Sequence, residues 1–168
     1  TLPVVTTALV CAAGTSEAAE RSFSMFTGIH TFNDWIDVVS ANDVEIVTAG
    51  LFGVAGGLAW RSPWPQISFG AEVQLVKHFG DQTNWEVNVP AVARYHLEDT
   101  WAGVESLAFG IGMSYAHEIP EIEVAREGTS RHEHIYWMID VSFQMPDPDT
   151  VLFARLHHRS TGFGLLGN

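Results

Sequence analysis

Two side chains near the end of the chain, His158 and Ser160, have the types and spacing of a general base and a nucleophile. On an extended strand, side chains alternate with period 2, so an H-x-S run puts imidazole and hydroxyl on one face. There the imidazole can take the hydroxyl proton and the serine oxygen can attack an ester, with an acid orienting the ring. The run VLFARLHHRSTGFGLLGN sets Leu152, Ala154, Leu156, His158 and Ser160 on one face. Val151, Phe153, Arg155, His157 and Arg159 take the other. In a soluble sandwich the face with two arginines and a histidine meets water, and the apolar face is core. In a membrane barrel the apolar face meets lipid and the charged face the lumen. A polar pair facing lipid costs free energy unless it pairs or lies near the interface. Such a pair is either a site for a substrate within the membrane or an ordinary pair of polar groups meeting lipid headgroups.

Other polar residues offer less chemistry. Glu72, Glu86, Arg94, His96, Asp140, Arg155, His157 and Arg159 share the faces assigned to a lumen. Barrels hold such charges as pairs, because an unpaired buried ion is costly. His132 and His134 (RHEH) have the spacing of metal ligands, but they border a charged loop and no cysteine supports them. Exposure to solvent is the expectation for both, and no metal or cofactor is expected. The net charge of −12 argues against a nucleic-acid partner, which needs a basic stripe.

The elements that must position the pair are strands. From Arg21 onward the sequence shows no convincing helix. Seven segments alternate with period 2 and begin near residues 22, 45, 66, 85, 107, 134 and 151. Phe23, Met25, Thr27 and Ile29 share a face in the first, and Ile67, Phe69, Ala71, Val73 and Leu75 in the third. Trp85 to Tyr95, Leu107 to Tyr115 and Ile135 to Met145 repeat the pattern. Gly50, Gly53, Gly56 and Gly57 leave the second segment little side chain for an interior. The segment WIDVVSAND (35–43) is assigned to a loop or short turn, and 118–131 to a longer charged loop. RSPWP and PDPD are turns. Segments of about ten residues fit a tilted strand crossing a bilayer. Alternating short turns and longer loops fit the two sides of a membrane barrel, and Trp60, Trp85, Tyr95 and Tyr115 fit interfacial girdles. The faces rich in Phe, Trp, Ile and Leu are too bulky to converge in a small interior. The faces of Gly, Ala and Ser suit a narrow lumen.

The expected fold is therefore all-β, an eight-stranded antiparallel transmembrane β-barrel. Bacterial barrels have even strand numbers with eight the smallest, so the eighth strand is expected beyond Asn168. Residues 1–19 are assigned to the remains of a signal peptide, because LPVVTTALVCAAG is an apolar run too short to span and small residues follow it. Residues 20–168 form the barrel domain. Cys11, the one cysteine, falls in the signal segment, so the mature chain has neither a disulfide nor a thiol nucleophile. The expected location is the Gram-negative outer membrane.

The run RLHHRSTGFGLLGN resembles the motif strand of the lipid A 3-O-deacylase family, eight-stranded outer-membrane barrels with an H-x-S pair facing the outer leaflet. The close match spans about a tenth of the chain. The resemblance implies His158 as base, Ser160 as nucleophile and Asn168 as an oxyanion group. Where the family often carries Asn after the serine, this chain has Thr161. The family's acid, a glutamate, would fall past Asn168. The implied activity is hydrolysis of the ester-linked acyl chain at the 3-position of lipid A, with lipid A or lipopolysaccharide as partner, no cofactor, and homo-oligomers left open. One rival is a structural or adhesive barrel without catalysis. The other is a soluble barrel that binds an apolar ligand.

Overall fold

The computed structural model describes residues 3–11, 15–16, 19–33, 35–40, 44–147 and 149–161, and only the backbone of 3–11, 15–16 and 126–127. Each segment expected to alternate forms a strand: β3 (Ala19–Thr31), β4 (Ile46–Arg61), β5 (Ile67–Gly80), β6 (Trp85–Trp101), β7 (Val104–Ala116), β8 (Glu133–Gln144) and β9 (Thr150–Ser160). Each pairs antiparallel with the next, in a sheet curled into a half-barrel. The backbone of β1 (Pro3–Cys11) runs between the two edges, antiparallel to β9 and to β3. The short β2 (Thr15–Ser16) pairs with the start of β3. The stretch assigned from sequence to a signal remnant thus lies beside Val151 to His158, in the position reserved above for a strand beyond Asn168. The edges of β3 and β9 each present unpaired backbone groups, and PVVTTALVC has the strand propensity to satisfy both.

The two long connections lie at the same end of the sheet. At one end lie 62–66, 102–103 and 145–149, and at the other 32–45, 81–84 and 117–132. These are called the turn end and the loop end below. The β6–β7 turn is only Ala102 and Gly103, both with positive φ (52° and 82°). That is the geometry of a two-residue hairpin turn that follows the twist of its strands. Two short helices sit at the loop end, where the sequence had suggested only loops. They are α1 (Trp35–Ser40) and α2 (Glu121–Glu127), the latter ended by Gly128 at φ 76°. Both are too short for a periodic pattern to reveal.

Parity holds through the sheet. Phe23, Met25, Ile29, Phe52, Leu58, Phe69, Val73, Leu75, Val87, Val89, Phe109, Ile111 and Met113 face outward and are exposed. Their strand neighbours face inward, and many are buried and polar, among them Gln74, Glu86, Asn88, Asp140, Arg155 and His157. The interior is not filled only by small and hydrogen-bonding residues, however. Phe26, Leu51, Ala55, Val76 and Phe153 form one buried apolar cluster, and Val92, Ala108, Tyr136 and Met138 another. Gly53 makes room for the first: the Phe26 ring lies where a Cβ on Gly53 would stand.

Candidate functional site

The outer face of β9 carries the H-x-S pair. Cross-strand partners share a face, and His158 is paired with Trp137, Ser160 with Ile135. Trp137 and Ile135 face outward, so His158 and Ser160 do too, while His157 and Arg159 lie beside Met138 and Tyr136 within. Ser160 is the last residue of β9, at the loop end. At about 3.3 Å per residue, their Cα atoms stand about 6.6 Å apart, a span that two inclined side chains can bridge. His158 is only 5% exposed. Its ring lies on the Trp137 indole, with centroids 4.4 Å apart and planes 30° apart. Trp35 of α1 meets the same indole edge-on at 5.9 Å and 85°, and Phe109 stacks on it at 6.4 Å. Asn168 and the rest of the motif after Thr161 lie outside the described residues.

A second constellation occupies the lumen near the loop end; of its members, Glu86, His157 and Arg159 were expected there as paired charges, while His30, His78 and Glu123 were not assigned to the lumen. Glu86 is its hub. One carboxylate oxygen meets His157 Nε2 at 2.9 Å, and the other meets His78 Nε2 at 2.9 Å and Arg159 Nε at 3.5 Å. His78 Nδ1 lies 2.9 Å from His30 Nε2. Arg159 also donates to Glu123 of α2 (2.9 Å), and Glu123 accepts from Ser130 Oγ (2.6 Å). His134, expected at the surface, is buried in this network, 3.3 Å from Glu123 and 3.1 Å from Arg159. Its partner in the motif, His132, is half-buried with Nδ1 against the Ala116 carbonyl. Among the described residues no group of three or more His, Cys, Asp or Glu is arranged to hold a metal ion. The space enclosed by His30, His78, Gln82, Glu86, Glu123, His157 and Arg159 is about 10 Å³, the size of one water and too small for a substrate. This network ties α2 into the barrel mouth, with Ile122 packed on Val47 and Ala49.

Burial pushes the Glu123 carboxyl up from its ordinary value, while Arg159 and the Ser130 hydroxyl draw it back. A raised carboxyl stabilises the fold most at low pH, and the contribution is lost as pH rises through the folded-state value. Glu123→Gln removes the titration. The unfolding midpoint of that variant is expected to vary less than the wild type's between about pH 4 and 7, as read by tryptophan fluorescence in urea.

Toward the turn end the lumen opens into a cavity of about 1410 Å³, whose walls include Glu72, Arg94, His96, Asp140 and Arg155. Its ions already hold one another. Arg155 donates to Asp140 at 2.7 and 2.8 Å and to Glu72 at 3.2 Å. Arg94 donates to Ser106 (3.0 Å) and Ser142 (2.7 Å), and His96 bonds Ser68 at 3.0 Å. Sequence reasoning missed the cavity and the α2 plug, because both arise from registers among distant strands. Comparison with protein-family models, curated proteins and solved structures gives no match.

Proposed function

We propose that this chain is an eight-stranded outer-membrane barrel with an acyl-ester hydrolase site on its outer face, acting on lipid A as the lipid A 3-O-deacylases do. The observation that carries this is the outward position, by register, of His158 and Ser160 at the loop end of β9, beside a largely apolar surface on which Glu133 and Lys77 are the nearby charges. A nucleophile on that side of the sheet, with Ser160 half-buried and the base His158 beneath the Trp137 ring, suits a substrate that approaches from the same bilayer.

The dimensions of the outer face support the membrane. Trp85 and Tyr95 both face outward on β6, ten residues apart, and both are about half exposed. That is about 33 Å along a strand, or about 25 Å along the axis of a barrel whose strands tilt by about 40°, the height of an apolar band. Trp60, Trp64 and Trp101 join Tyr95 near the turn end, and Tyr115 and Trp35 join Trp85 near the loop end. Exposed apolar side chains fill the interval between, a contiguous area of a kind that soluble monomers rarely leave uncovered. A second reading, a soluble barrel binding an apolar ligand within, lacks support in a lumen lined by ion pairs.

In the reaction His158 takes the Ser160 hydroxyl proton as Oγ attacks the ester carbonyl. Backbone N–H groups hold the tetrahedral oxyanion, with the Asn168 amide as the further donor that the resemblance implies. Collapse breaks the bond to the sugar 3-oxygen, which leaves with the proton from His158. Water, deprotonated by His158, then releases the hydroxy acid and restores Ser160. The third member of the triad is a carboxylate that orients the imidazole. The lumen carboxylates cannot fill that place, since Glu86 and Asp140 lie on the opposite face of the sheet.

The test is purified protein in detergent incubated with lipid A, beside Ser160→Ala. Loss of one hydroxyacyl chain, read by mass, with wild type and not with the variant is the expected result. No loss from a folded barrel would leave a structural or adhesive barrel.

A further inference from the structure

We propose that Trp137 is the positioning residue of this site: its indole face fixes the His158 imidazole and stabilises the imidazolium formed when Ser160 attacks. The proposal rests on the hydrolase reading above. Three observations carry it. Trp137 is the direct cross-strand partner of His158, so the backbone sets the two rings side by side. The ring centroids lie 4.4 Å apart with the planes tilted by 30°, so the imidazole leans over the indole face. The indole is itself held, edge-on by Trp35 of α1 and by the stacked Phe109 on β7.

The physics of such a stack fits a base that acquires charge. The face of an indole is the most negative of the aromatic side chains, and a cation above it is attracted, more strongly where water is excluded. His158 is neutral before the reaction and positive in the transition state, so the attraction grows as the barrier is climbed and enters kcat rather than substrate binding. The stack also removes rotamers that would turn the ring away from Ser160, which is a matter of orientation. A ring in this place could instead serve only as a wall for the acyl chain. That role would enter KM.

The experiment separates the two. Trp137→Met keeps a large apolar side chain without a ring face, and Trp137→Phe keeps a smaller ring. With lipid A in detergent, Trp137→Met is expected to lower kcat about tenfold with KM within about twofold, a loss equivalent to about 1.4 kcal/mol. Trp137→Phe retains most of kcat. In parallel, NMR of the wild type with labelled histidine should show the His158 ring protons shielded by the indole, and that shielding should vanish in Trp137→Met. Unchanged kcat in Trp137→Met, a loss confined to KM, or an equal loss in both variants overturns the proposal while leaving the hydrolase intact. A folded wild type that shows the shielding yet releases no acyl chain overturns the hydrolase itself and the proposal with it. Should Trp137→Met not fold, Trp35→Leu in the exposed α1 decides. A two- to threefold fall in kcat with loss of part of the shielding supports the proposal, and no change in either overturns it.

Discussion

If the proposed hydrolase reading holds, Ser160→Ala is expected to lower kcat for acyl release by at least about a thousandfold while the barrel stays folded. The magnitude follows from the role: a nucleophile removed from a base–nucleophile unit leaves only substrate positioning and oxyanion binding. His158→Ala gives a loss of similar size, and the double variant is no worse than the poorer single one, because the two groups act as a unit. Ser160 is the last residue of β9, and its lumen-side neighbour Arg159 carries the nearby ion pairs. The check is a rate measurement with lipid A alongside heat-modifiable migration on gels, which reports the folded barrel independently. A loss of less than about tenfold in Ser160→Ala would assign the hydrolysis elsewhere.

The second large effect concerns stability. Arg155→Ala is expected to destabilise the barrel by about 3–5 kcal/mol, because it leaves two carboxylates behind in the lumen. Asp140 is fully buried and receives two of the guanidinium's hydrogen bonds. The cation also sits over two rings, 5.3 Å from the Phe26 centroid and 4.9 Å from that of Phe153. Truncation therefore removes packing and cation–π attraction as well as charge. Replacing both partners behaves differently. Arg155→Met with Asp140→Leu recovers most of the loss, since the fully buried charge leaves with its partner, and Arg94, 3.7 Å from Asp140, is about a quarter exposed and keeps its bonds to Ser106 and Ser142. Glu72, which borders the open cavity, keeps access to water. Unfolding in urea, followed by tryptophan fluorescence, measures each variant. Equal destabilisation by the single and double variants would show packing rather than stranded charge to be at fault.

Much of this was legible in the sequence because the decisive signal, alternation, is local. It placed His158 and Ser160 on one face of β9 and His157 and Arg159 on the other, and the register with β8 agrees. It also identified eight of the lumen's titratable groups, Glu86, Asp140 and Arg155 among them, but not His30, His78, Glu123 or His134. Their pairing was not legible. Glu72 and Arg155 meet across a separation of 83 residues, through registers that no single strand specifies. The burial of His134 has the same origin: a helix seven residues long, α2, places Glu123 over it. The turn at Ala102–Gly103 escaped notice because its first positive-φ position carries alanine instead of the asparagine or aspartate that usually marks it. The large side chains inside, Phe26 and Met138, fit because Gly53 and Gly110 yield their places on adjoining strands. Those glycines read in sequence only as emptiness. Pro3–Cys11 shows the limit of pattern, since a short apolar run with β-branched residues serves equally as the core of a signal segment and as a strand.

His158 and Ser160 on the outer face of β9 are proposed to hydrolyse a membrane lipid in place. The most direct measurement is the mass spectrum of lipid A from Gram-negative cells that carry the wild-type protein in their outer membrane, set beside cells carrying Ser160→Ala at equal folded abundance. A species lighter by one hydroxyacyl chain in the first and not in the second is the predicted result. Identical lipid A in both would contradict it.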